Sequence, residues 1–201
     1  LPVWKGELYL ELHRGTLTTQ ARTKRGNRKC EQMLAQTEFL CSMLPLAHYP
    51  AKKLDRAWKL LLLNQFHDVI PGSSIGMVYE TTQKQHAEIL DLCDSLMKRA
   101  ADELFPKADG SATILNSLSC GVTALVELPE TWNGFRVLDA AGNELPVQHE
   151  YGRSIVRVHL PALSFTTLRR GVKSELPTET ESNDLVLENQ NVRYVFSPDA
   201  R

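Results

Sequence analysis

This 201-residue sequence has no long apolar run, no excess of either charge and no cysteine-pair motif. Each absence closes a class of function. The net charge is -1, so the molecule as a whole presents no field that would gather nucleic acid or an anionic membrane. Nothing approaches the roughly 20 consecutive apolar residues of a membrane span. The cysteines are Cys30, Cys41, Cys93 and Cys120, and no Cys-x-x-Cys occurs, which argues against a zinc knuckle. Cys30 and Cys41 fall on one predicted helix about 16 Å apart along its axis, too far to bridge. Cys30 and Cys93 fit apolar stripes and read as small core residues. No Asn-x-Ser/Thr sequon is present. Together these features point to a reducing, cytoplasmic setting. A His-Glu-x-x-His pair, a phosphate-cradling glycine loop and a Gly-x-Ser-x-Gly elbow are also missing. No cysteine has an activating neighbour in sequence, so thiol catalysis has no support.

What is present is an ordinary globular composition, 42% hydrophobic and 23% charged. The chain starts on Leu1-Pro2 and stops within a strand-and-turn pattern, so it is expected to be an excised piece of a longer protein. Its first half is helical in pattern. Cys30, Met33, Leu34, Thr37, Leu40, Cys41 and Leu44 recur at i, i+3, i+4, i+7 spacing and predict a helix from about Gln20 to Leu44. Pro45 and Pro50 bracket a break. Leu54, Ala57, Trp58, Leu61 and Leu62 predict a second helix from about Ala51 to Phe66. Pro71-Gly72 interrupts, and Ser73 or Ser74 is expected to cap a third helix running to about Phe105. Its buried side would be Ile75, Val78, Ile89, Cys93, Leu96, Met97, Ala100 and Leu104. Arg22, Lys24, Arg25, Arg28 and Lys29 read as a solvated face of the first helix.

Beyond Pro106–Gly110 the pattern changes to short strands. These are 112–116, 122–128, 135–139, 144–148 and 155–160, with Ala140-Ala141-Gly142-Asn143 as a hairpin turn. Lys173 to Asp184 reads as an exposed linker, and 185–188 with 192–196 open a further hairpin. The expected fold class is α+β, a three-helix antiparallel bundle followed by a small antiparallel sandwich-like β domain. The expected division is a tail at 1–19, the bundle at 20–107, the β domain at 108–174, and a linker with the first strands of a second sandwich at 175–201.

Chemistry-bearing residues concentrate at one helix end. His67 and Asp68 follow the apolar run Leu61-Leu62-Leu63 and precede Pro71-Gly72-Ser73-Ser74. An imidazole beside a carboxylate suits a divalent metal, although such a dipeptide also serves as a helix cap or a surface ion pair. Gln65 adds a third polar group near the same end. Near the N-terminus, Glu7, Glu11 and His13 alternate with Leu8, Leu10 and Leu12, either lining a cleft or forming the wet face of an edge strand. His48, His86, His149 and His159 stand singly.

Three motifs in order, Gly6-Glu7-Leu8-Tyr9-Leu10-Glu11-Leu12-His13-Arg14-Gly15-Thr16, Lys24-x-x-Asn27-Arg28-x-x-Glu31 and Asn64-Gln65-Phe66-His67-Asp68-x-x-Pro71-Gly72-Ser73, resemble the class II alpha-mannosidases, glycoside hydrolase family 38. Asn116-Ser117-Leu118-Ser119 looks like the opening of that family's C-terminal β region, and Leu187-Glu188-Asn189-Gln190-x-Val192-Arg193 like the start of its large β-sandwich. The resemblance implies a retaining alpha-mannosidase with one zinc ion at the sugar subsite. It implies His67 as a zinc ligand and Asp68 as a contact to the mannose; His13 is a weaker substrate-binding candidate. The remaining ligands, the nucleophile and the acid/base carboxylate would belong to an N-terminal α/β domain outside this chain, so the fragment alone is expected to be inactive. A retaining glycosidase places its two carboxyl groups about 5–5.5 Å apart. The implied partners are the alpha-mannoside, the N- and C-terminal domains of the same protein, and a second copy in a homo-oligomer; nucleic acid and membranes are not expected. Two other readings stand beside this one. One is a mannosylglycerate-type hydrolase of the same family, and the other is a non-catalytic helical and β binding module.

Overall fold

In the computed structural model, residues 2–6, 15–105, 107–173, 186–188 and 191–196 are described. Glu7, Glu11 and His13 lie outside them, as do Pro106 and most of the expected linker.

Three α-helices come first: α1 (Ala21–Cys41), α2 (Ala51–Asn64) and α3 (Gly76–Leu104). The expected boundaries shorten at two ends for one reason. Met43 N–H donates to Leu40 O and Leu44 N–H to Cys41 O, while Gln65 N–H donates to Leu62 O and Phe66 N–H to Leu63 O. These three-residue bonds tighten each last turn and stop the α-helical ladder. Pro45 and Pro50 then flank one short 3-10 turn, Leu46–His48.

The helices run up, down and up. Cys30 Sγ donates to His86 O at 3.5 Å, and Thr37 lies beside Cys93, so α1 and α3 advance in the same direction. Asn64 meets Thr82, Arg56 meets Glu88 and His48 meets Glu103, so α2 runs against α3. The bundle core is Cys30, Leu34, Leu40, Cys41, Leu44, Leu54, Ala57, Leu61, Ile89, Cys93, Leu96 and Ala100. Several expected members differ. Leu62 and Ile75 are exposed, and Met33, Trp58, Val78, Met97 and Leu104 are only half-buried. Past Leu61 the α2 stripe turns onto Asn64, whose Nδ2 donates to Gln85 Oε1 and whose Oδ1 accepts from Thr82 Oγ1. A polar contact, not an apolar one, closes that end of the α2–α3 seam.

The β region holds β1 (Ser111–Asn116), β2 (Val122–Glu127), β3 (Phe135–Leu138), β4 (Glu144–Leu145), β5 (Val147–Glu150), β6 (Arg153–Leu160), β7 (Ser164–Lys173), β8 (Val186–Glu188) and β9 (Arg193–Val195). One antiparallel sheet has the order β1-β7-β3-β4 and another the order β2-β6-β5. Their inner faces share a core of Val137, Val156, Val158, Leu160 and Leu168 with Leu128 and Trp132. That is a small sandwich, and the molecule is α+β. Two features differ from the sequence reading. The stretch expected as one strand at 144–148 is two, split at Pro146. β4 pairs with β3 and β5 with β6, so the chain changes sheet where proline cannot donate to a ladder. The longest strand among the described residues, β7, has no counterpart in the sequence reading, because Thr166, Thr167, Arg169 and Arg170 weaken its apolar alternation.

Candidate functional site

The turn between α2 and α3 places His67 and Asp68 side by side at one end of the bundle. His67 Nε2 lies 3.3 Å from Asp68 Oδ2, and the two side chains are 77% and 53% exposed. The imidazole is therefore not sunk among the helices; it faces outward. Phe66 stands against it, with ring centroids 4.2 Å apart. Hydroxyls hold Asp68 from the other side, one at its carboxylate and one at its main-chain carbonyl. Ser73 Oγ donates to Asp68 Oδ1 at 3.1 Å, and Ser74 Oγ to Asp68 O at 2.6 Å. The two serines thus brace the turn; neither side chain caps α3, whose N-cap is Ile75. Ser74 N–H donates to the hydroxyl of the buried Tyr79.

Residues 65–74 contain no regular helix or strand; Val69 and Ile70 N–H both donate to Phe66 O within the turn, and contacts from outside add to these bonds. Two come from α1. Lys24 Nζ donates to Ile70 O at 3.0 Å, to Pro71 O at 3.4 Å and to Thr19 O at 2.7 Å. Gln65 Nε2 donates to Glu31 Oε1 at 2.8 Å and to Asn27 Oδ1 at 3.0 Å, and Asn27 Nδ2 donates back to Glu31 Oε1. Gln65 therefore does not join His67 and Asp68, as its spacing suggested. It turns the other way and ties the end of α2 to α1. Lys24 likewise leaves the solvated face to which the basic run assigned it, while Arg22, Arg25, Arg28 and Lys29 remain exposed.

Apolar side chains border the pair. A groove of about 320 Å³ is lined by Leu63, Phe66, Val69, Met77 and Val78, with Thr81 among its polar lining. Phe66 links groove and imidazole.

Among the described residues, no group of three or more His, Cys, Asp and Glu side chains converges on a point that would hold a metal ion. His67 and Asp68 alone fit the chemistry of such an ion in part: an accessible imidazole nitrogen and a carboxylate oxygen on a braced turn. A closed coordination sphere needs further donors from outside the described residues.

Among the described residues, the other titratable side chains form no competing site. His48 Nδ1 contacts Glu103 Oε1 at the opposite end of the bundle. His149 Nδ1 lies 2.9 Å from Ser154 Oγ, but that hydroxyl is buried and also contacts Asn133 Oδ1. Burial pushes the Cys30 thiol up to about 11, with Cys93 nearby adding to the effect, and raises Cys93 and Cys41 as well. Thiols so raised are inert at neutral pH. No helix among the described residues is long and apolar enough to cross a membrane.

Comparison with known proteins places this geometry in context. The family described as "Alpha mannosidase middle domain" matches residues 11–104. Over 137 residues the chain is 44% identical to alpha-mannosidase 2C1 of Mus musculus, covering 65% of this chain and 13% of that protein. Over 103 residues it is 46% identical to alpha-mannosidase G of Dictyostelium discoideum, covering 50% of this chain and 10% of that protein. The chain thus spans a small part of the length of its relatives. A solved alpha-mannosidase structure from Enterococcus faecalis V583 superposes with a TM-score of 0.64 at 17% identity, over 92% of this chain and 28% of the other. That likeness extends the shared fold beyond the bundle into the β region.

Proposed function

We propose, from the match of residues 11–104 to the alpha-mannosidase middle domain, that the chain is part of a retaining, zinc-dependent alpha-mannosidase. In this reading the bundle presents His67 as one zinc ligand and Asp68 as a carboxylate for the hydroxyls of the mannose. One observation carries the proposal. The His67–Asp68 pair is exposed, adjacent and braced by Ser73 and Ser74 of its own turn, and it sits within the matched segment.

A bound divalent ion would orient ring hydroxyls and offset charge that develops as the glycosidic bond breaks. The chain's own residues do the rest of what falls to this domain. Ser73 occupies Asp68 Oδ1, and Oδ2 faces the imidazole, so the carboxylate is oriented before the sugar arrives. Orientation set in advance lowers the entropic cost of reaching a reactive geometry. The carboxyl pair of a retaining glycosidase, about 5–5.5 Å apart, lies outside the described residues in this reading. The chain alone is then inactive.

The test is metal analysis and hydrolysis of an aryl alpha-mannoside by the intact protein, with and without chelator. His67→Ala is expected to lower zinc content and activity together, and retention of both would refute the assignment. Asp68→Asn is expected to keep the metal and lose kcat/KM by about 10²-fold or more, the scale of removing one preorganised contact to the reacting sugar. Unchanged kinetics would remove Asp68 from the site.

A further inference from the structure

The Lys24-x-x-Asn27-Arg28-x-x-Glu31 segment has no part in the chemistry above, yet three of its side chains, Lys24, Asn27 and Glu31, reach the 65–74 segment that carries His67 and Asp68. We propose that Lys24 is a positioning residue: from α1 it fixes the 66–72 turn and thereby sets how His67 and Asp68 are presented. The inference rests on the site reading given above for its consequence in function, and on geometry alone for its structural part.

Lys24 is half-buried, and its ammonium donates to three backbone carbonyls, those of Thr19, Ile70 and Pro71. No carboxylate contacts it among the described residues. Holding a lysine still costs side-chain entropy, and its neighbours in the basic run stay in water. Charge-assisted bonds to carbonyls offset that cost. They also answer a need. A turn without its own ladder leaves carbonyls unpaired, and one ammonium takes up two of them within four residues of His67 and Asp68. The same ammonium joins this turn to the 15–19 turn, which packs against Gly72. Glu31 and Asn27 hold Gln65 at the beginning of the segment. The segment is therefore pinned to α1 at both ends, with the His-Asp pair between the pins. A misplacement of about 1 Å in such a pair is enough to lower a rate by about 10²-fold.

The experiment compares wild type, Lys24→Met and Lys24→Arg in the intact protein. In Lys24→Met, amide hydrogen exchange over 66–73 is expected to accelerate at least tenfold while the middle turns of the three helices exchange as before. Zinc retention against a competing chelator is expected to weaken about 10- to 100-fold, the usual effect of losing a group that orients a ligand. Lys24→Arg, which keeps charge and donors, is expected to recover most of both. A lysine that merely stabilises the bundle would instead lower the melting temperature and quicken exchange throughout, leaving metal affinity in place. Unchanged exchange over 66–73 overturns the proposal. So does faster exchange with unchanged zinc retention in a protein whose retention depends on His67. If His67→Ala leaves zinc retention unaltered, the site reading fails, and the exchange comparison still decides whether Lys24 fixes the turn. Should Lys24→Met not fold, Lys24→Gln, which keeps a donor and drops the charge, replaces it.

Discussion

Gly72 carries the tightest steric constraint at the candidate site. Its φ is +101°, and a Cβ there would lie 2.2 Å from Thr19 Cγ2. Both features require glycine, one through backbone conformation and the other through close approach. Gly72→Ala is expected to destabilise the chain by about 1–3 kcal/mol, the usual cost of a side chain in a sparsely populated region. Urea unfolding checks this. Adding Thr19→Ala should relieve the contact and leave the backbone share of the loss. At this scale the sequence was informative where chemistry is local. His67 and Asp68 are adjacent in the chain, so their meeting needs no fold. Lys24 and Gln65 were misread because their partners lie 46 and 34 residues away. Charge and spacing within a helix carry no signal for a contact to a distant carbonyl.

The α1–α3 pair shows what a whole element must accommodate. Gly26 lies inside α1, where glycine costs about 1 kcal/mol against alanine. The reason is His86 on α3: a Cβ at Gly26 would lie 2.3 Å from its Nδ1. His86 is 4% exposed, and neither ring nitrogen has a hydrogen-bond partner among the described residues. Burial lowers its pKa from the ordinary 6.5. The folded chain therefore refuses a proton that the unfolded chain accepts. Where the unfolded state binds more protons, stability rises with pH. His86 thus contributes full stability above about pH 6.5, and that contribution is lost as pH falls below it, through the depressed folded value. The melting temperature should drop between pH 7 and pH 5, and His86→Leu should flatten the part of that drop due to this ring. A titration curve equally steep in both proteins would assign the dependence elsewhere. The apolar stripes of the helices were legible in sequence because i, i+3, i+4 spacing is itself the packing face. His86, Thr82, Thr23 and Asn64 were not, since polar residues on that face are admitted only by what sits opposite.

Across the whole molecule, the sheet beginning with β1 serves two cores. Ala112, Ile114 and Leu168 face the sandwich interior, whereas Leu115 packs on the bundle core. Alternation along a strand makes this division automatic. Phe105, just past α3, meets Phe165 of β7 with ring centroids 4.8 Å apart. A double-mutant cycle of Phe105→Ala and Phe165→Ala is expected to give a coupling of about 0.5–1.5 kcal/mol. Zero coupling would mean that the bundle and the sheet gain nothing from that contact.

Composition, periodicity and the order of helices before strands determined the fold class, because burial of a stripe or an alternating face follows directly from spacing along the chain. The His-Asp pair was likewise written in the sequence. Tertiary structure alone decided that the pair faces outward, that Lys24 and Gln65 turn inward to hold its turn, that Pro146 divides one apparent strand between two sheets, and that β7 lies between β1 and β3. Each of those outcomes depends on which groups meet across tens of residues. Such meetings are settled by packing and hydrogen-bond completion, for which neighbouring residues in sequence hold no record.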